Sequence, residues 1–522
     1  MLRIASIVLI TCCPAAAGAS GPWLPPTAIA PPQRGAGAPA VAGNDAGRAV
    51  AAWATRDGVR VTLRTPGGPW YSPTRVPGSV RGASSVSVAM TTGGRAGAAW
   101  VQGGRVRAAI RPERRRFLRA AALSPRGRVD SSPRMAFGRG CTPLVAWTSA
   151  DAQGRSQVRA ACGRADGRFA PAVVVSPPGE RASTPAVAGG PTGVIVVWRQ
   201  DEGGTYRVRA ATRGPVGGFS PAVTVSPAST AVVVDPSVAL APDGTAVAAW
   251  TLTRGESVTA QAATRAITGE WTAPADLSRP AAQARGARAA MDGRGAALVA
   301  WSRSGVVQVA ERPPGGAWSA PVDMSPAGTT AGAPSLAASG SGAAVVAWPA
   351  QSGAVAQVQA ALRPAGGAFG PPGVISDPGR PAIAPQAAIG DDGVAPVAWQ
   401  WTNPAAEPAI APSGVMAATG LAGTGVTAPA LVVDLRARPA RVRPGQAIRI
   451  TFGLSTASRV RITARRAGSS RVVGGLSVSS PAGPNAVVLQ GGLGGASLGR
   501  GRWVITATPR NGTPRSLTLV VV

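Results

Sequence analysis

One short sequence recurs, with small changes, about every fifty residues, and each copy ends in tryptophan. Its clearest copy runs from Gly244 to Trp250. Self-similarity at a period of roughly 20 to 50 residues is typical of solenoids, propellers and other arrays, in which every repeat folds as the same unit. Most of the chain is therefore expected to be an array of one unit. The repeated tryptophans are Trp53, Trp100, Trp147, Trp198, Trp250, Trp301, Trp348 and Trp399.

Four short apolar segments make up each repeat, which predicts four β-strands. Each segment is bounded by Gly, Pro, Asp or Ser, as strands joined by hairpin turns are. Four antiparallel strands repeated around an axis form the blades of a β-propeller. We therefore predict an all-β fold with an eight-bladed propeller over residues 20–433. The ring is seven-bladed instead if the degenerate repeat around Trp399 lies outside it.

A further copy of the fourth segment precedes the first repeat. The sequence around Trp23 (Gly-Pro-Trp-Leu-Pro-Pro) parallels the sequence around Trp318 (Gly-Ala-Trp-Ser-Ala-Pro). A propeller must close its ring, because an open sheet edge invites pairing with other chains. We predict that residues 21–30 complete the last blade.

The turn before the fourth segment resembles the box of sialidase-like, or BNR-type, propellers, which reads Ser-x-Asp-x-Gly-x-x-Trp. In the sixth repeat, Gly315 and Trp318 occupy the Gly and Trp positions of this box, whereas Glu311 and Pro313 stand at its Ser and Asp positions. The resemblance covers residues 21–433 and implies a propeller architecture. It carries no catalytic residue over to this chain.

Residues 434–522 have a different pattern, because the tryptophan period stops and longer alternating segments appear. Ile448, Ile450 and Phe452 alternate with polar residues, which predicts strands with one buried and one solvated face. About seven such strands suffice for a small Ig-like β-sandwich. The stretch 498–508 resembles a late strand of the Ig-like modules found at the ends of secreted bacterial proteins. That resemblance implies a spacer or adhesive domain.

The N-terminus reads as an export signal. Residues 1–19 combine a basic start, a short apolar run and an Ala-Gly-Ala site, which predicts a signal peptide cleaved after Ala19. Free secretion is favoured over lipid modification of Cys12, because Thr11 is bulky for a lipobox. No later apolar run approaches the roughly 20 residues of a membrane span. The abundance of Ala, Gly, Pro and Arg is typical of a GC-rich bacterium.

Charge and missing residue types narrow the possible functions. All 53 basic residues are arginine, and the formal net charge is +31. Such a surface attracts polyanions. The segment 434–522 holds 14 arginines against Asp434 alone. The chain has no His and no Lys, which excludes Ser-His-Asp and Cys-His triads, imidazole metal sites and Schiff-base chemistry. No metal or other cofactor is predicted.

Seven arginines form the candidate binding set, because each ends the third segment of a repeat. Rotation of the repeat would place them as a ring on one face, where a polyanion could meet several guanidinium groups. The alternative is a set of solvated strand ends that discourages aggregation. The set is Arg64, Arg111, Arg164, Arg213, Arg265, Arg312 and Arg363.

Three smaller groups of residues complete the candidates. Cys141 and Cys162, on neighbouring segments of one repeat, are predicted to form a disulfide rather than two free thiols. Asp201, Glu202 and Tyr206 are the alternative catalytic group, because a Tyr activated by a carboxylate is the sialidase type of nucleophile. The repeated Asp-Gly pairs are predicted to be tight turns rather than calcium ligands, and the repeated tryptophans to be core rather than sugar platforms.

The sequence favours an exported protein that binds and does not catalyse. Its expected partners are anionic polysaccharides, acidic glycans or another surface protein of the cell envelope. The alternative is a carbohydrate-active enzyme, either a sialidase-like hydrolase or a polysaccharide lyase, that uses carboxylate, Tyr and Arg chemistry. Nucleic acid is a third option, supported by charge alone and weakened by export.

Overall fold

The computed structural model describes residues 23–30, 33–125, 127–279, 283–326, 328–353, 355–402, 412–422, 430, 432–454, 457–481, 483–490, 492–493, 496–510 and 514–522. Over these residues the chain forms β-strands and turns, and none of them forms a helix that could cross a membrane. The predicted signal peptide lies outside the described residues. So do Cys12 and the segment around Val426, where the last repeat would carry its fourth strand.

Eight antiparallel sheets, numbered here 1 to 8 along the chain, account for the repeats in the described residues. The first strands are Ala40–Gly43, Ala83–Met90, Val129–Gly138, Arg181–Gly190, Val232–Leu240, Ala284–Met291, Thr330–Ala331 with Ser335–Ala338, and Ala382–Ala387. The second strands are Ala49–Thr55, Ala96–Gln102, Cys141–Ala150, Gly193–Asp201, Ala246–Arg254, Ala297–Arg303, Ala344–Ser352 and Val394–Thr402.

The third and fourth strands follow in the same antiparallel order. The third strands are Gly58–Arg64, Arg105–Arg111, Ser156–Cys162, Tyr206–Arg213, Ser257–Arg265, Val306–Arg312, Val355–Arg363 and Pro412–Leu421. The fourth strands of sheets 1 to 7 are Thr74–Arg75, Ala121–Ala122, Val173–Val174, Val223–Thr224, Ala275–Asp276, Val322–Asp323 and Gly373–Val374.

Sheet 8 takes its fourth strand from the other end of the repeat region. Thr27–Ala28 pairs with Pro412–Leu421, in the register Thr27↔Ala417, and the short strand Gln33–Arg34 pairs with the same partner. The bridge Trp23↔Gly420 extends this contact. The last sheet is therefore built from both ends of the array.

Contacts between first strands arrange the sheets around an axis. Each first strand contacts the first strand of the next sheet, and Ala382–Ala387 of sheet 8 contacts Ala40–Gly43 of sheet 1. Two hydrogen bonds to the carbonyl of Ala36 join sheet 8 to the segment before sheet 1, one from Nε2 of Gln400 (2.6 Å) and one from Oγ of Ser413 (3.0 Å). This closed arrangement of four-stranded antiparallel sheets is a β-propeller.

The core of the propeller lies between neighbouring sheets. Trp250 of sheet 5, for example, packs in one cluster with Val197 and Val208 of sheet 4. All eight repeated tryptophans are at most 1% exposed, so their prediction as core residues is confirmed. Small Ala and Val side chains surround them and let the sheets approach closely. The indole NH of Trp250 donates to Oε1 of Gln261 at 2.9 Å, which satisfies a buried donor.

The C-terminal segment forms two further sheets that share one core, together with a short hairpin. Ile448, Ile450 and Phe452 are buried in that core, as their alternation predicted. The first sheet contains Val432–Arg438, Ala447–Leu454 and Gly483–Gln490. The second contains Arg441–Val442, Arg515–Val521, Gly501–Pro509, Ser458–Arg466 and Val472–Ser480, and the hairpin pairs Gly492–Leu493 with Ala496–Ser497.

Candidate functional site

Six of the seven candidate arginines occupy one register position. Each lies opposite the residue four places before the repeated Trp of its sheet, as Arg265 lies opposite Ala246. Arg164 does not share this position. In sheet 3, Trp147 lies opposite Arg159, so the equivalent residue is Gly163 and Arg164 is displaced by one residue. The six equivalent residues are Arg64, Arg111, Arg213, Arg265, Arg312 and Arg363.

These arginines do not form a continuous exposed ring. Arg64 is 2% exposed and Arg363 is 7% exposed. Arg363 makes an ion pair with Glu311 at 2.7 Å and donates to the carbonyl of Gly342. Arg111 and Arg265 donate in the same way to the turn between the first and second strands of their sheets. In these three sheets the guanidinium braces its own sheet, and burial withdraws Arg64 and Arg363 from solvent.

The predicted disulfide is confirmed. Cys141 and Cys162 lie on the second and third strands of sheet 3, with their Cα atoms 5.0 Å apart and their sulfur atoms bonded. Nη1 of Arg213, from sheet 4, lies 3.0 Å from Sγ of Cys162. The bond is consistent with an extracellular protein.

The alternative catalytic residues lie together on one hairpin of sheet 4, and the two carboxylates are already engaged there. Oδ1 of Asp201 accepts a hydrogen bond from the backbone NH of Gly204 at 3.1 Å. The carboxylate of Glu202 pairs with Arg207. The backbone of Tyr206 exchanges two hydrogen bonds with Ser229. The carboxylates thus hold the turn and a neighbouring arginine.

The Asp-Gly turns are local structures. Oδ1 of Asp243 accepts from the backbone NH of Thr245 at 2.9 Å, and Oδ1 of Asp292 accepts from two backbone NH groups. Within the part of the chain that the structure describes, no three His, Cys, Asp or Glu side chains come close enough to hold a metal ion. At Asp243 and Asp292 the local hydrogen bonds of the predicted tight turns are present.

Charge is distributed unevenly around the propeller. Comparing the charge of the propeller with that of residues 434–522 does not reveal this. Residues 36–230, which form sheets 1 to 4, hold 27 arginines and 9 acidic residues, a net charge of +18. Residues 231–433, which contain sheets 5 to 7 and most of sheet 8, hold 10 arginines and 12 acidic residues, a net charge of −2. We refer to sheets 1 to 4 as the basic half. Counting charges by repeat would have found this difference from the sequence.

One strand position shows how the two halves differ. Opposite the repeated Trp, the third strand carries arginine in sheets 1 to 4 and glutamine in sheets 5 to 7. In sheets 5 and 6 the glutamine donates to an aspartate on the fourth strand, as Gln261 does to Asp276 at 2.7 Å. The arginines are Arg60, Arg107, Arg159 and Arg209, and the glutamines are Gln261, Gln308 and Gln359.

Few of these positive charges have a carboxylate partner. Among the described residues of the basic half, the ion pairs are Arg155 with Asp151 and Arg207 with Glu202. Like charges lie close enough to interact. Burial lowers the pKa of Arg159, and the guanidinium of Arg128 lowers that pKa further. The basic half therefore carries a positive potential that its own acids do not neutralise.

A groove of about 340 Å³ in sheet 1 concentrates this charge. Arg56, Arg60, Arg75 and Arg81 line it together with Asp57 and Val80, and we name it the arginine groove. Arg60 and Arg75 lie directly opposite each other on neighbouring strands. Like charges in that position destabilise a sheet. The arginine groove thus keeps an unfavourable pair that an anion would neutralise.

A second charged cluster lies where sheet 1 meets the C-terminal sheets. The backbone NH of Asp434 donates to the carbonyl of Gly67 at 2.8 Å. Burial lowers the pKa of Arg64, while the charges of Asp434 and Asp392 act in the opposite direction. Burial likewise raises the pKa of Asp434 and of Asp392. Arg64 is buried in this cluster, whereas Asp434 and Asp392 are partly buried, and the cluster joins two parts of the fold.

Comparison with known proteins gives limited guidance. No family model matches the chain, and no curated protein matches it. The chain is similar to the BP39L lectin from Burkholderia pseudomallei, with 17% identity, a TM-score of 0.48, and coverage of 66% of this chain and 99% of the lectin. It is also similar to a fungal alcohol oxidase of the AA5 family in complex with copper, with 12% identity, a TM-score of 0.41, and coverage of 96% and 99%.

A third similar structure is the neuraminidase-like protein of subtype N11 from A/flat-faced bat/Peru/033/2010 (H18N11). It shares 6% identity at a TM-score of 0.34, and the match covers 56% of this chain and 88% of that protein. At these scores the likeness transfers no activity and no ligand to this chain.

Proposed function

We propose that this protein is an exported, non-catalytic binding protein that holds an anionic polymer, such as an acidic glycan of the cell envelope, against its basic half. The observation that carries the proposal is the arginine groove, in which Arg60 and Arg75 face each other across neighbouring strands. An anion between two such guanidinium groups would turn a repulsive pair into two charge-assisted contacts. A protein that had no anionic partner would gain stability by losing one of them.

The charge around the groove favours a polymer over a small anion. The net charge of +18 extends over four consecutive sheets, beyond the Debye length of about 8 Å at physiological salt. A single small anion can neutralise only the nearest guanidinium groups. A polymer with regularly spaced negative charges can follow the basic half and meet its arginines in series.

In this proposal the remaining parts of the chain present the binding surface. The eight sheets would be the blades of one ring over residues 20–433, closed by residues 21–30, and residues 434–522 would be an Ig-like module that acts as a spacer or adhesive domain. The predicted signal peptide at residues 1–19 would direct the chain out of the cell. The disulfide Cys141–Cys162 suits that location.

The proposal is tested with residues 20–522 on an array of neutral and acidic polysaccharides at two salt concentrations, with the same wells assayed for released sugars. We expect binding confined to acidic polymers, weaker at high salt, and no released product. Binding that is equal for neutral and acidic polymers would contradict the proposal. Release of sugars would replace it with the enzyme alternative and direct attention to Asp201, Glu202 and Tyr206.

A further inference from the structure

A cavity of about 490 Å³ lies between sheets 6 and 7, outside the basic half. Gln283, Arg285 and Ser302 line it from sheet 6, and Thr330, Pro349 and Gln351 line it from sheet 7. It opens near the turns that join second and third strands, opposite the strand ends that carry the candidate arginines. Its volume is within the range of about 300 to 1,000 Å³ that is typical of small-molecule sites.

Sheet 7 carries small side chains at three register positions beside the cavity, and only sheet 1, with Gly37, has an equally small residue at the first of them. Gly332, Ala350 and Ala356 occupy these positions, and all three line the cavity. Where Gly332 stands, other sheets carry Ser84, Ser131, Ser183, Val234, Arg285 and Ile383. At the position of Ala350, the same sheets carry Gln102, Ser149, Gln200, Leu252, Arg303 and Trp401. At the position of Ala356, sheets 3 to 5 carry Ser156, Tyr206 and Val258.

Hydrogen bonds between the two sheets fix the shape of the cavity. The hydroxyl of Ser302 donates to the carbonyl of Ala331 at 2.8 Å, and the backbone NH of Ala331 donates to the carbonyl of Gly305 at 2.7 Å. Both groups are at the junction of the sheets, so the wall behind the cavity does not depend on a ligand. A preformed wall lowers the entropy cost of binding.

The chemistry of the lining points to one class of ligand. It presents hydroxyl and amide groups, the guanidinium of Arg285 and a floor of small apolar side chains, and it includes no carboxylate. The side chain of Arg285 is exposed, and its guanidinium has no hydrogen-bond or ion-pair partner among the described residues. Such a site suits a ligand with several hydroxyl groups and one carboxylate. A zwitterionic amino acid fits less well, because its ammonium group would find no acid in the lining.

We propose that this cavity binds one carboxylated sugar unit, with its carboxylate on Arg285 and its hydroxyl groups on the serine, threonine and glutamine side chains of the rim. The site is independent of the basic half. A polymer held at the arginine groove and a sugar acid in the cavity would be separate binding events.

The test is a titration of the full mature chain with glucuronate, followed by NMR, with glucose as the neutral comparison. We expect saturable binding of glucuronate with a Kd of about 1 mM and weaker binding of glucose. Ala350→Leu should fill the cavity and weaken glucuronate binding at least tenfold, since sheet 5 accommodates Leu252 at this position. Ala152→Leu, the same change at an exposed turn of sheet 3, should bind as the unaltered chain does. If Ala350→Leu does not fold, Ala356→Val serves in its place.

Arg285→Gln separates the role of charge from the role of shape. It should weaken glucuronate binding about tenfold and leave glucose binding unchanged, while Arg254→Gln, an exposed arginine of sheet 5, should alter neither. The proposal is overturned if glucuronate fails to bind at about 10 mM, or if Ala350→Leu and Arg285→Gln bind it as well as the unaltered chain. Neither result bears on retention by acidic polymers, so this proposal and the proposed function can fail separately.

Discussion

Replacing Arg64 by methionine should destabilise the protein, although Arg64 is one of several arginines at the same register position. Its guanidinium is buried where sheet 1 meets the C-terminal sheets, and it interacts with Asp434 and Asp392. Methionine keeps the length of the side chain and removes the charge. The two partly buried carboxylates would then have less positive charge beside them.

The expected loss follows from the geometry. Arg64 makes no ion-pair contact among the described residues, so its loss should cost no more than the removal of one member of a buried ion pair, about 3 to 5 kcal/mol. We expect the lower end, about 3 kcal/mol, because no guanidinium nitrogen of Arg64 makes a hydrogen bond within the described residues. With an unfolding entropy of about 2.1 cal/mol/K per residue over roughly 400 residues, this loss lowers the Tm by about 4 °C.

Thermal and urea unfolding of three variants test this reasoning. Arg312→Met is the matched control, because Arg312 has the same register position in sheet 6 and is half-buried, and it should change stability by less than about 1 kcal/mol. The double variant Arg64→Met with Asp434→Asn should regain part of the loss, since it removes one of the two carboxylates that interact with Arg64. A loss in Arg64→Met no larger than that in Arg312→Met would refute the argument.

Three further predictions concern stability. The change Cys141→Ala with Cys162→Ala should cost about 3 kcal/mol, because the disulfide closes a loop over a sequence separation of 21; an unchanged urea midpoint would contradict this. Trp250→Ala should cost roughly 4 kcal/mol, whereas Tyr71→Ala, at a side chain 53% exposed, should cost under about 1 kcal/mol, and equal losses would argue against the tryptophan core. Burial raises the pKa of Asp434 above 3.8, so the folded state binds more protons than the unfolded state between those two values. The stabilisation from this group is complete at a pH below the ordinary carboxyl pKa, and it is lost as the pH rises through the raised pKa of Asp434. Asp434→Asn should reduce this pH-dependent loss in the free energy of unfolding, measured by urea titrations at several pH values.

The sequence predicted the features that depend on local pattern. The tryptophan period and the punctuation by Gly and Pro are repeated in every unit, so the four-stranded sheets and their buried tryptophans could be predicted without knowing how the sheets meet. The pairing of Cys141 with Cys162 follows from the same hairpin. These features need only a segment and its immediate neighbours.

The environment of single residues could not be predicted in this way. Arg64 and Arg312 look alike in their repeats, but only Arg64 lies beneath the C-terminal strand that contains Asp434. Arg164 looked equivalent to the other arginines until the register of sheet 3 placed Gly163 at that position. Gly332, Ala350 and Ala356 all line the cavity, and they lie in the break of the first strand, on the second strand and on the third strand of sheet 7. Such features appear only when strands from separate parts of the chain are aligned.

The most direct test of the central claim compares two triple variants on immobilised heparin in a salt gradient. Arg56, Arg75 and Arg81 are changed to Gln in the arginine groove, and Arg254, Arg279 and Arg294, which are exposed in sheets 5 and 6, are changed to Gln in the control. Both variants lose three positive charges, so their net charges are equal. At about 0.5 kcal/mol for each exposed contact, the groove variant should lose about tenfold in affinity and elute at lower salt, while the control elutes with the unaltered protein. Equal elution of both variants would show that net charge alone drives retention and would contradict a binding site in the basic half.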